Sequence, residues 1–369
     1  MEKNLFYRQN YLQDYIIGQK VRLQRMISEE LKKDYLNWAE TVISELGQNK
    51  KEWVKKFQGY AEVIKNNKEE IERLRRRFYR RYRLYYYLNV SQIKKGKEFD
   101  IRFLGQSVGT VIVENDNVYL TVSDKQASNS RKFGYDEEKI GKINKSAWLS
   151  KEAKNFRAFF KNCDKGLNGK ECMVESALYS ELEKIKSENK TLCNIKPISY
   201  AGVRFHLPTP LRACDSKENK IFISKDGRGV GGIDLLCRRR TGSKANIVVI
   251  EIKNGNKSDE SFDKTMKQAI SYALFIRELI HSDAGEFWME IFRMKKQMTV
   301  AKDKKQGYTI DCVVAMPKGI TKPSYCGDVL SFDNGDGTVD RLVLHYIEIT
   351  SDTTCPTSED VKFETSFKK

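Results

Sequence analysis

Residues 231–240 read GGIDLLCRRR and residues 246–253 read NIVVIEIK, and these two runs decide the fold. Both are short and rich in aliphatic or β-branched residues, and glycine or polar residues flank them, which is typical of β-strands. The segment TGSKA at 241–245 joins them and is short enough to be a hairpin loop. The sequence therefore predicts two neighbouring strands of one sheet.

Charged side chains interrupt these apolar runs. Side chains alternate along a strand, so Glu251 and Lys253 share one face, whereas Ile250 and Ile252 point into the core. If the two strands pair, Asp234 lies on the same face as Glu251. An acid between apolar neighbours needs a partner, so we expect a cluster of two carboxylates and one lysine. Each residue taken alone also fits an ordinary strand end.

Two carboxylates that converge at a strand end form a hard oxygen site, which suits Mg²⁺, with Mn²⁺ as a substitute. Magnesium normally keeps several of its waters. Lys253 would orient or deprotonate one such water, or stabilise charge on a phosphate oxygen. This set of groups predicts metal-assisted attack of water on a phosphodiester.

From residue 171 onward, predicted helices and strands alternate. A helix is predicted over residues 171–187 and another over residues 262–281. The predicted strands are 198–206, 229–238, 246–253, 308–316 and 342–350. This order indicates an α/β fold with a mixed sheet flanked by helices.

The ordered set of motifs resembles the PD-(D/E)XK nuclease superfamily, most closely its RecB-like and restriction-endonuclease-like members. Asp234 stands at the metal-binding aspartate of that family, and Glu251-Ile252-Lys253 stands at the (D/E)XK triplet. The resemblance covers residues 171–350, about half of the chain, and implies a restriction-endonuclease-like core.

Three further residues fit motifs of this family. Gln268 and Tyr272 fit the QxxxY helix motif, whose residues position substrate and active site in RecB-like enzymes. A surface pair one helical turn apart is the alternative for these two. Glu175 fits the acidic residue of the first core helix, where it would complete the metal shell with Asp234 and Glu251. Residue 233 departs from the pattern, because it is isoleucine where the family has proline.

The resemblance implies a Mg²⁺-dependent endonuclease, which is a phosphodiester hydrolase. Most relatives with these motifs act on DNA, so DNA is expected more than RNA. Restriction, anti-phage defence and DNA repair are settings suggested by analogy alone. The alternative is a non-catalytic nucleic-acid-binding or assembly module on the same scaffold, in which these residues persist without the geometry to hold a metal ion.

The charge and composition of the chain narrow the class of protein. Its 369 residues carry 67 Lys and Arg against 50 Asp and Glu, a formal charge of +17. This surplus indicates an anionic partner, nucleic acid first and an acidic membrane surface second. No apolar run reaches the roughly 18 residues of a membrane span, so we expect no integral membrane protein. The eight cysteines form no CxxC pair, and the first thirty residues lack the apolar stretch of a signal peptide, so we expect a cytoplasmic protein with reduced thiols.

Residues 1–95 are predicted to be a basic helical region, with helices before Gly47, over 50–66 and over 68–89. The third helix carries arginines on one face that are expected to contact nucleic acid: Arg73, Arg76, Arg77, Arg80 and Arg81. Alternatively, the aromatic face of this helix packs on the meander while its arginines face solvent or an acidic partner subunit. The region would then mediate assembly with a second copy of the chain or another protein. A second basic run, expected near the site, is Arg238, Arg239 and Arg240.

Four regions follow from these patterns. They are the basic helical region at 1–95, a small β meander plus helix at 96–165, the nuclease-like domain at 166–352 and a polar, frayed tail at 353–369. Within the second region, residues 98–122 predict an antiparallel meander, residues 123–131 a linker, and Ser150 the N-cap of a helix that ends near Phe160.

Overall fold

The structure is a computed structural model. It describes residues 29–69, 71–72, 84–89, 98–114, 117–136, 143–163, 165, 171–183, 192, 194–200, 203–213, 221–224, 230–241, 244–253, 261–297, 306–317, 328–351 and 361–366. The helices are α1 (29–48), α2 (Lys50–Asn66), α3 (Asp124–Lys132), α4 (Lys151–Asn162), α5 (Glu171–Glu183), α6 (Phe262–Ile280) and α7 (Gly285–Ile291). The strands are β1 (Leu84–Asn89), β2 (Glu98–Phe103), β3 (Gln106–Glu114), β4 (Asn117–Thr121), β5 (Ser146–Ala147), β6 (Ile195–Pro197), β7 (Ser199–Tyr200), β8 (Val203–His206), β9 (Pro208–Thr209), β10 (Leu211–Ala213), β11 (Ile221–Ile223), β12 (Gly231–Gly232), β13 (Leu235–Thr241), β14 (Lys244–Ile252), β15 (Thr309–Pro317), β16 (Val329–Asp333), β17 (Val339–Ser351) and β18 (Val361–Thr365).

Polar caps set the start of two predicted helices. The Ser150 hydroxyl accepts a hydrogen bond from the Ala153 N–H at 3.2 Å and so begins α4. The Ser261 hydroxyl accepts from the Lys264 N–H at 3.3 Å and begins α6. Both helices therefore begin where the sequence predicts.

A mixed sheet holds the second half of the chain. Its order is β16-β17-β15-β14-β13-β6, with β18 added beside β17. The central strands β14, β15 and β17 run parallel, and β13 and β16 pair antiparallel to them. Val248 and Ile250 of β14 share a buried cluster with Leu178 of α5, whereas Val249 shares the other cluster with Ala269 of α6. Helices therefore cover both faces, and the predicted α/β class with a mixed sheet flanked by helices is confirmed.

A second sheet of seven strands contains the predicted meander. Its order is β5-β4-β3-β2-β1-β8-β7, and β2, β3 and β4 pair antiparallel as predicted. Strand β1 pairs antiparallel with β2 and parallel with β8. Residues from the first quarter of the chain therefore share a sheet with residues that follow α5.

The helix predicted over residues 68–89 is helical at residues 68–69 and 71–72, but it is wrong at its end, because 84–89 form β1. This segment contains Tyr85, Tyr86 and Tyr87, and aromatic residues favour strands when they pack against a neighbouring sheet. Tyr85 and Tyr87 are buried on one face, and Tyr86 lies on the other. The alternation places two tyrosines beside the carboxylates described below.

The predicted linker at residues 123–131 is also wrong, because most of it forms α3. The Ser123 hydroxyl accepts from the Gln126 N–H, and the Gln126 side chain accepts from the Ser123 N–H, which is a capping box. The tail predicted to be frayed contains β18, which pairs antiparallel with β17. Both segments are polar, so their composition did not indicate the helix α3 or the strand β18.

Two predicted strands are each divided. Residues 198–206 supply β7 and β8, which belong to the second sheet, whereas β6 just before them joins the mixed sheet. Residues 229–238 are interrupted at Ile233 and Asp234, between β12 and β13. Asp234 therefore lies outside the hydrogen-bonded pairing of β13 with β14, immediately before the first residue of β13.

The helices before β1 pack against α6 and α7. The Trp53 ring lies 5.7 Å from the Phe275 ring, and Trp288 Nε1 donates to the Phe57 carbonyl at 3.1 Å. Lys50 Nζ lies 2.7 Å from the Glu278 carboxylate. The helices α1 and α2 therefore share one buried cluster with α6 and α7.

Within the described ranges, no helix combines the length and apolar character needed to cross a membrane. Four of the cysteines lie in these ranges, and no disulfide joins any two of them: Cys163, Cys172, Cys237 and Cys312.

Candidate active site

Asp234 and Glu251 face each other where β13 and β14 end. The last paired residues are Leu235 and Ile250, so one further step in the same register sets Asp234 opposite Glu251. The Ile252 N–H donates to Asp234 Oδ2 at 2.9 Å. The structure thus brings together the two carboxylates that the sequence placed on one face.

The Asp234 carboxyl lies in an unfavourable place for a negative charge. Burial, followed by the charges of Glu251 and Glu175, raises the pKa of Asp234 well above its usual range. Lys253 and the Ile252 N–H act in the opposite direction without offsetting this effect. A cation at this position would stabilise the ionised carboxylate.

Lys253 is the third member of the cluster. Its Nζ donates to Glu251 Oε1 at 2.9 Å and lies 3.8 Å from the Glu171 carboxylate. Glu251 is 5% exposed and Lys253 is 8% exposed. Burial alone would lower the pKa of Lys253, but Glu251, Asp234 and Glu171 outweigh burial and raise that pKa. Lys253 is therefore protonated at neutral pH, so it donates hydrogen bonds and does not deprotonate a water.

Glu175 binds an arginine that the sequence did not identify. Arg204, on β8, is 4% exposed, and its Nη2 forms an ion pair with Glu175 Oε1. The same Nη2 donates to the Asp234 carbonyl at 3.1 Å. Glu175 lies close enough to act on Asp234, but its carboxylate is engaged by Arg204.

Gln268 and Tyr272 lie on the buried side of α6, not on its surface. Gln268 Nε2 donates to the Ala213 carbonyl of β10 at 3.3 Å. Gln268 Oε1 is buried and accepts no hydrogen bond from the described residues. Burial, then the charges of Glu251 and Asp234, raises the pKa of Tyr272, which stays a neutral phenol. The surface-pair alternative is therefore wrong for both residues.

The run Arg238 to Arg240 lies away from the carboxylates. At about 3.3 Å per residue, Arg240 is roughly 20 Å along the strand from Asp234, in contrast to its expected place near the site. Arg239 Nε donates to Asp311 Oδ2 at 2.9 Å, and Asp311 is fully buried. Arg239 is thus engaged within the fold.

Arg238 and Arg240 point to the opposite face from Arg239, where a third cation joins them. Burial, followed by the charges of Arg240 and Arg293, lowers the pKa of Arg238. Arg240 and Arg293 are exposed. We call these three residues the basic cluster. The other expected contacts, Arg73, Arg76, Arg77, Arg80 and Arg81, lie outside the described residues.

The charges around Asp234 fit a divalent cation. No three His, Cys, Asp or Glu side chains of the described chain are grouped to hold a metal ion, but Mg²⁺ often binds one or two carboxylates and keeps its waters. The ionisable groups here are the carboxylates of Asp234, Glu251, Glu175 and Glu171 and the cations Lys253 and Arg204. When ionised, they leave two excess negative charges. The net charge of the cluster is therefore one that a divalent cation would balance.

The sequence analysis did not identify two residues of this cluster: Arg204 was not considered, and Glu175 was chosen in place of Glu171. Arg204 lies between apolar residues in VRFH, and a charge inside a strand is the same signal that identified Asp234. Glu171 lies one helical turn before Glu175, so helical spacing alone does not separate their roles.

Comparison with known proteins adds nothing to this geometry: no family model, no curated protein and no solved structure matches the chain.

Proposed function

We propose that the protein is a Mg²⁺-dependent endonuclease that hydrolyses phosphodiester bonds of DNA. One observation carries the proposal: Asp234 and Glu251 face each other, and Lys253 is hydrogen-bonded to Glu251 in the same buried cluster. Two mutually repelling carboxylates, of which Glu251 is buried, have no evident structural benefit beside a protonated lysine. A metal ion would neutralise the carboxylates, and a phosphate would neutralise the lysine.

The order of elements around this cluster supports a restriction-endonuclease-like core. A helix that supplies acids (α5) is followed by the strand pair β13–β14, a helix with Gln268 and Tyr272 (α6), and the parallel strand β15. Two strands and two helices thus converge on Asp234, as expected from the resemblance to PD-(D/E)XK nucleases.

Each residue has a role in this proposal. Asp234 and Glu251 would hold Mg²⁺, which when bound lowers the pKa of a coordinated water and offsets charge on the phosphate. Asp234 Oδ2 is fixed by the Ile252 N–H, which orients the carboxylate. Lys253 donates a hydrogen bond to the attacking water or to a phosphate oxygen, and its charge stabilises the negative charge that develops there. Gln268 and Tyr272 support the opposite wall of the site.

The basic cluster supports nucleic acid as the partner. Leu236 pairs with Val249 and Arg238 pairs with Ile247, so Arg238 lies on the same sheet face as Glu251. Arg240, the member of the cluster farthest along the strand, lies roughly 20 Å from Asp234, and duplex DNA rises about 3.4 Å per base pair. One duplex could therefore touch both places across about six base pairs. A DNA substrate agrees with a cytoplasmic protein that acts in restriction, defence or repair.

A cleavage panel tests this function. Linear DNA, circular DNA, single-stranded DNA and RNA are incubated with Mg²⁺, Mn²⁺ or a chelator. We expect metal-dependent cutting of circular DNA, which an exonuclease cannot cut. Asp234→Ala should abolish cleavage and Lys253→Ala should reduce it by at least about 100-fold, while salt-dependent binding remains. Wild-type protein that cuts none of these substrates with either metal would refute the proposal.

The second candidate is a non-catalytic nucleic-acid-binding or assembly module on the same scaffold. The engagement of Glu175 by Arg204 favours it, because the three-carboxylate shell implied by the resemblance is not formed. DNA binding that depends on salt but does not change with Mg²⁺, Mn²⁺ or Asp234→Ala would support the second candidate.

A further inference from the structure

Arg204 connects the meander-containing sheet to the carboxylate cluster. It lies on β8, and its Nη2 contacts both the Glu175 carboxylate and the Asp234 carbonyl. One guanidinium nitrogen thus bridges α5 and the segment before β13. Because Asp234 lies outside the β13–β14 ladder, this bridge and the Ile252 N–H are the contacts that set its position among the described residues.

Aromatic rings hold the guanidinium in place. The Arg204 Cζ lies 4.3 Å from the ring centre of Tyr179, 5.0 Å from that of Tyr87 and 5.4 Å from that of Tyr85. Cation–π attraction is strongest where the cation is desolvated, as here. The Tyr85 and Tyr179 rings also stack on each other at 5.7 Å. The charge of Arg204 is therefore fixed at one point beside the site.

We propose that Arg204 keeps Glu175 out of the metal shell, so that Asp234 and Glu251 alone hold the ion and the Glu175–Arg204 pair positions the Asp234 segment. This inference rests on the proposed nuclease function. It departs from the resemblance, which implies that Glu175 is a metal ligand. A carboxylate that accepts from a buried guanidinium is locally neutralised, and transferring it to a metal ion would leave Arg204 buried without its counterion.

Removal of both partners separates this role from that of a ligand. Replacing a buried ion pair with neutral groups of similar volume is often tolerated, whereas removing one partner leaves a buried charge. Glu175→Gln alone leaves the Arg204 cation facing the site and weakens binding of a second cation. If Glu175 only balances Arg204, Glu175→Gln combined with Arg204→Met restores metal binding. If Glu175 is a ligand, the combination stays weak.

A titration of the full chain with Mn²⁺ tests the role of Arg204 without requiring cleavage. The electron paramagnetic resonance signal of free Mn²⁺ reports how much of the ion remains unbound. Asp234→Asn and Glu175→Gln should each weaken Mn²⁺ binding by at least about tenfold. The double variant should bind within about threefold of wild type, a strong non-additivity. Thermal melts of each variant show that it is folded. Arg239→Met, which breaks the buried pair with Asp311, is the control: a lower melting temperature with unchanged Mn²⁺ affinity is expected.

The outcomes separate the two proposals. A folded double variant that binds Mn²⁺ as weakly as Asp234→Asn overturns the role of Arg204 and leaves the nuclease proposal intact. Wild-type protein that binds no Mn²⁺, or Asp234→Asn that binds it as wild type does, overturns both.

Discussion

The backbone N–H of Ile252 and the Oδ2 atom of Asp234 lie 2.9 Å apart in a hydrogen bond that crosses from β14 to the segment before β13. It orients the carboxylate before any ion binds, at a place where Glu251 and Glu175 raise the pKa of that carboxylate. Ionisation of an acid among other acids destabilises the metal-free fold. Preorganisation for a cation therefore has a measurable consequence for stability.

We expect Asp234→Asn to raise the melting temperature of the metal-free protein at pH 7. Asparagine keeps an oxygen for the Ile252 N–H and removes the charge that burial and the neighbouring acids disfavour. The folded-state pKa of Asp234 lies above its unfolded value of about 3.9, so the folded state binds more protons between the two values, and wild type loses stability as pH rises through that window. The advantage of the variant should therefore shrink as pH falls below the raised pKa. Thermal melts in chelator at several pH values measure the difference in melting temperature between the variant and wild type. A difference of about 1 kcal/mol in stability corresponds to about 2–4 °C.

Added Mg²⁺ should raise the melting temperature of wild type but not of Asp234→Asn, because a ligand stabilises only the state that binds it. Glu114→Gln is the control, since Glu114 forms an exposed pair with Lys145 at 2.8 Å and should leave both melts unchanged. A lower melting temperature for Asp234→Asn in chelator would contradict the buried-charge argument.

Lys253→Met should separate metal binding from chemistry. The Lys253 ammonium competes with a metal ion for Asp234 and Glu251, so replacement of this lysine by methionine should tighten Mn²⁺ binding. Cleavage should fall by about 100–1000-fold, because charge stabilisation in the transition state disappears. The raised pKa of Lys253 keeps it protonated, so wild-type activity should show no loss between pH 7 and 9 from this residue. Single-turnover cleavage and Mn²⁺ titration measure the two effects, and Lys253→Arg, which keeps the charge, should retain wild-type Mn²⁺ affinity. Weaker Mn²⁺ binding by Lys253→Met would show that the lysine builds the site instead.

Local patterns were sufficient to predict much of the mixed sheet and its carboxylates. The alternation around Glu251 and the break around Asp234 are properties of a few neighbouring residues, and the register of one hairpin brings them together. The sequence signal at Arg204 resembles that at Asp234, but the contact of Arg204 with Glu175 was not predictable, because it depends on how β8 joins a different sheet. The strand at Tyr85 to Tyr87 was missed for a related reason: an arginine-rich helical pattern precedes it, and only pairing with β2 and β8 makes these residues a strand.

The basic cluster should bind DNA phosphates. We expect Arg240→Ala and Arg293→Ala each to weaken DNA binding and to reduce the slope of log K against log salt by about 0.9 for each phosphate that the variant no longer neutralises. Fluorescence anisotropy at several salt concentrations measures this slope. Arg239→Ala is the matched control, because its partner is the buried Asp311. It should leave the salt slope unchanged and destabilise the fold by about 3–5 kcal/mol, the effect of leaving a buried charge unpaired. Equal slopes for all three variants would show that the cluster does not touch DNA.

The helices before β1 should unfold together with the site instead of melting as a separate domain. Trp53 is fully buried against Phe57 and Phe275, and Phe275 lies one helical turn beyond Tyr272 on α6. Trp53→Ala should destabilise the protein by about 3–5 kcal/mol and increase hydrogen exchange along α6 as well as α2. Lys55→Ala, on the exposed face of α2, should change neither. Faster exchange confined to α2, with α6 protected as in wild type, would mean that the helices stabilise only themselves and that the site does not depend on their packing.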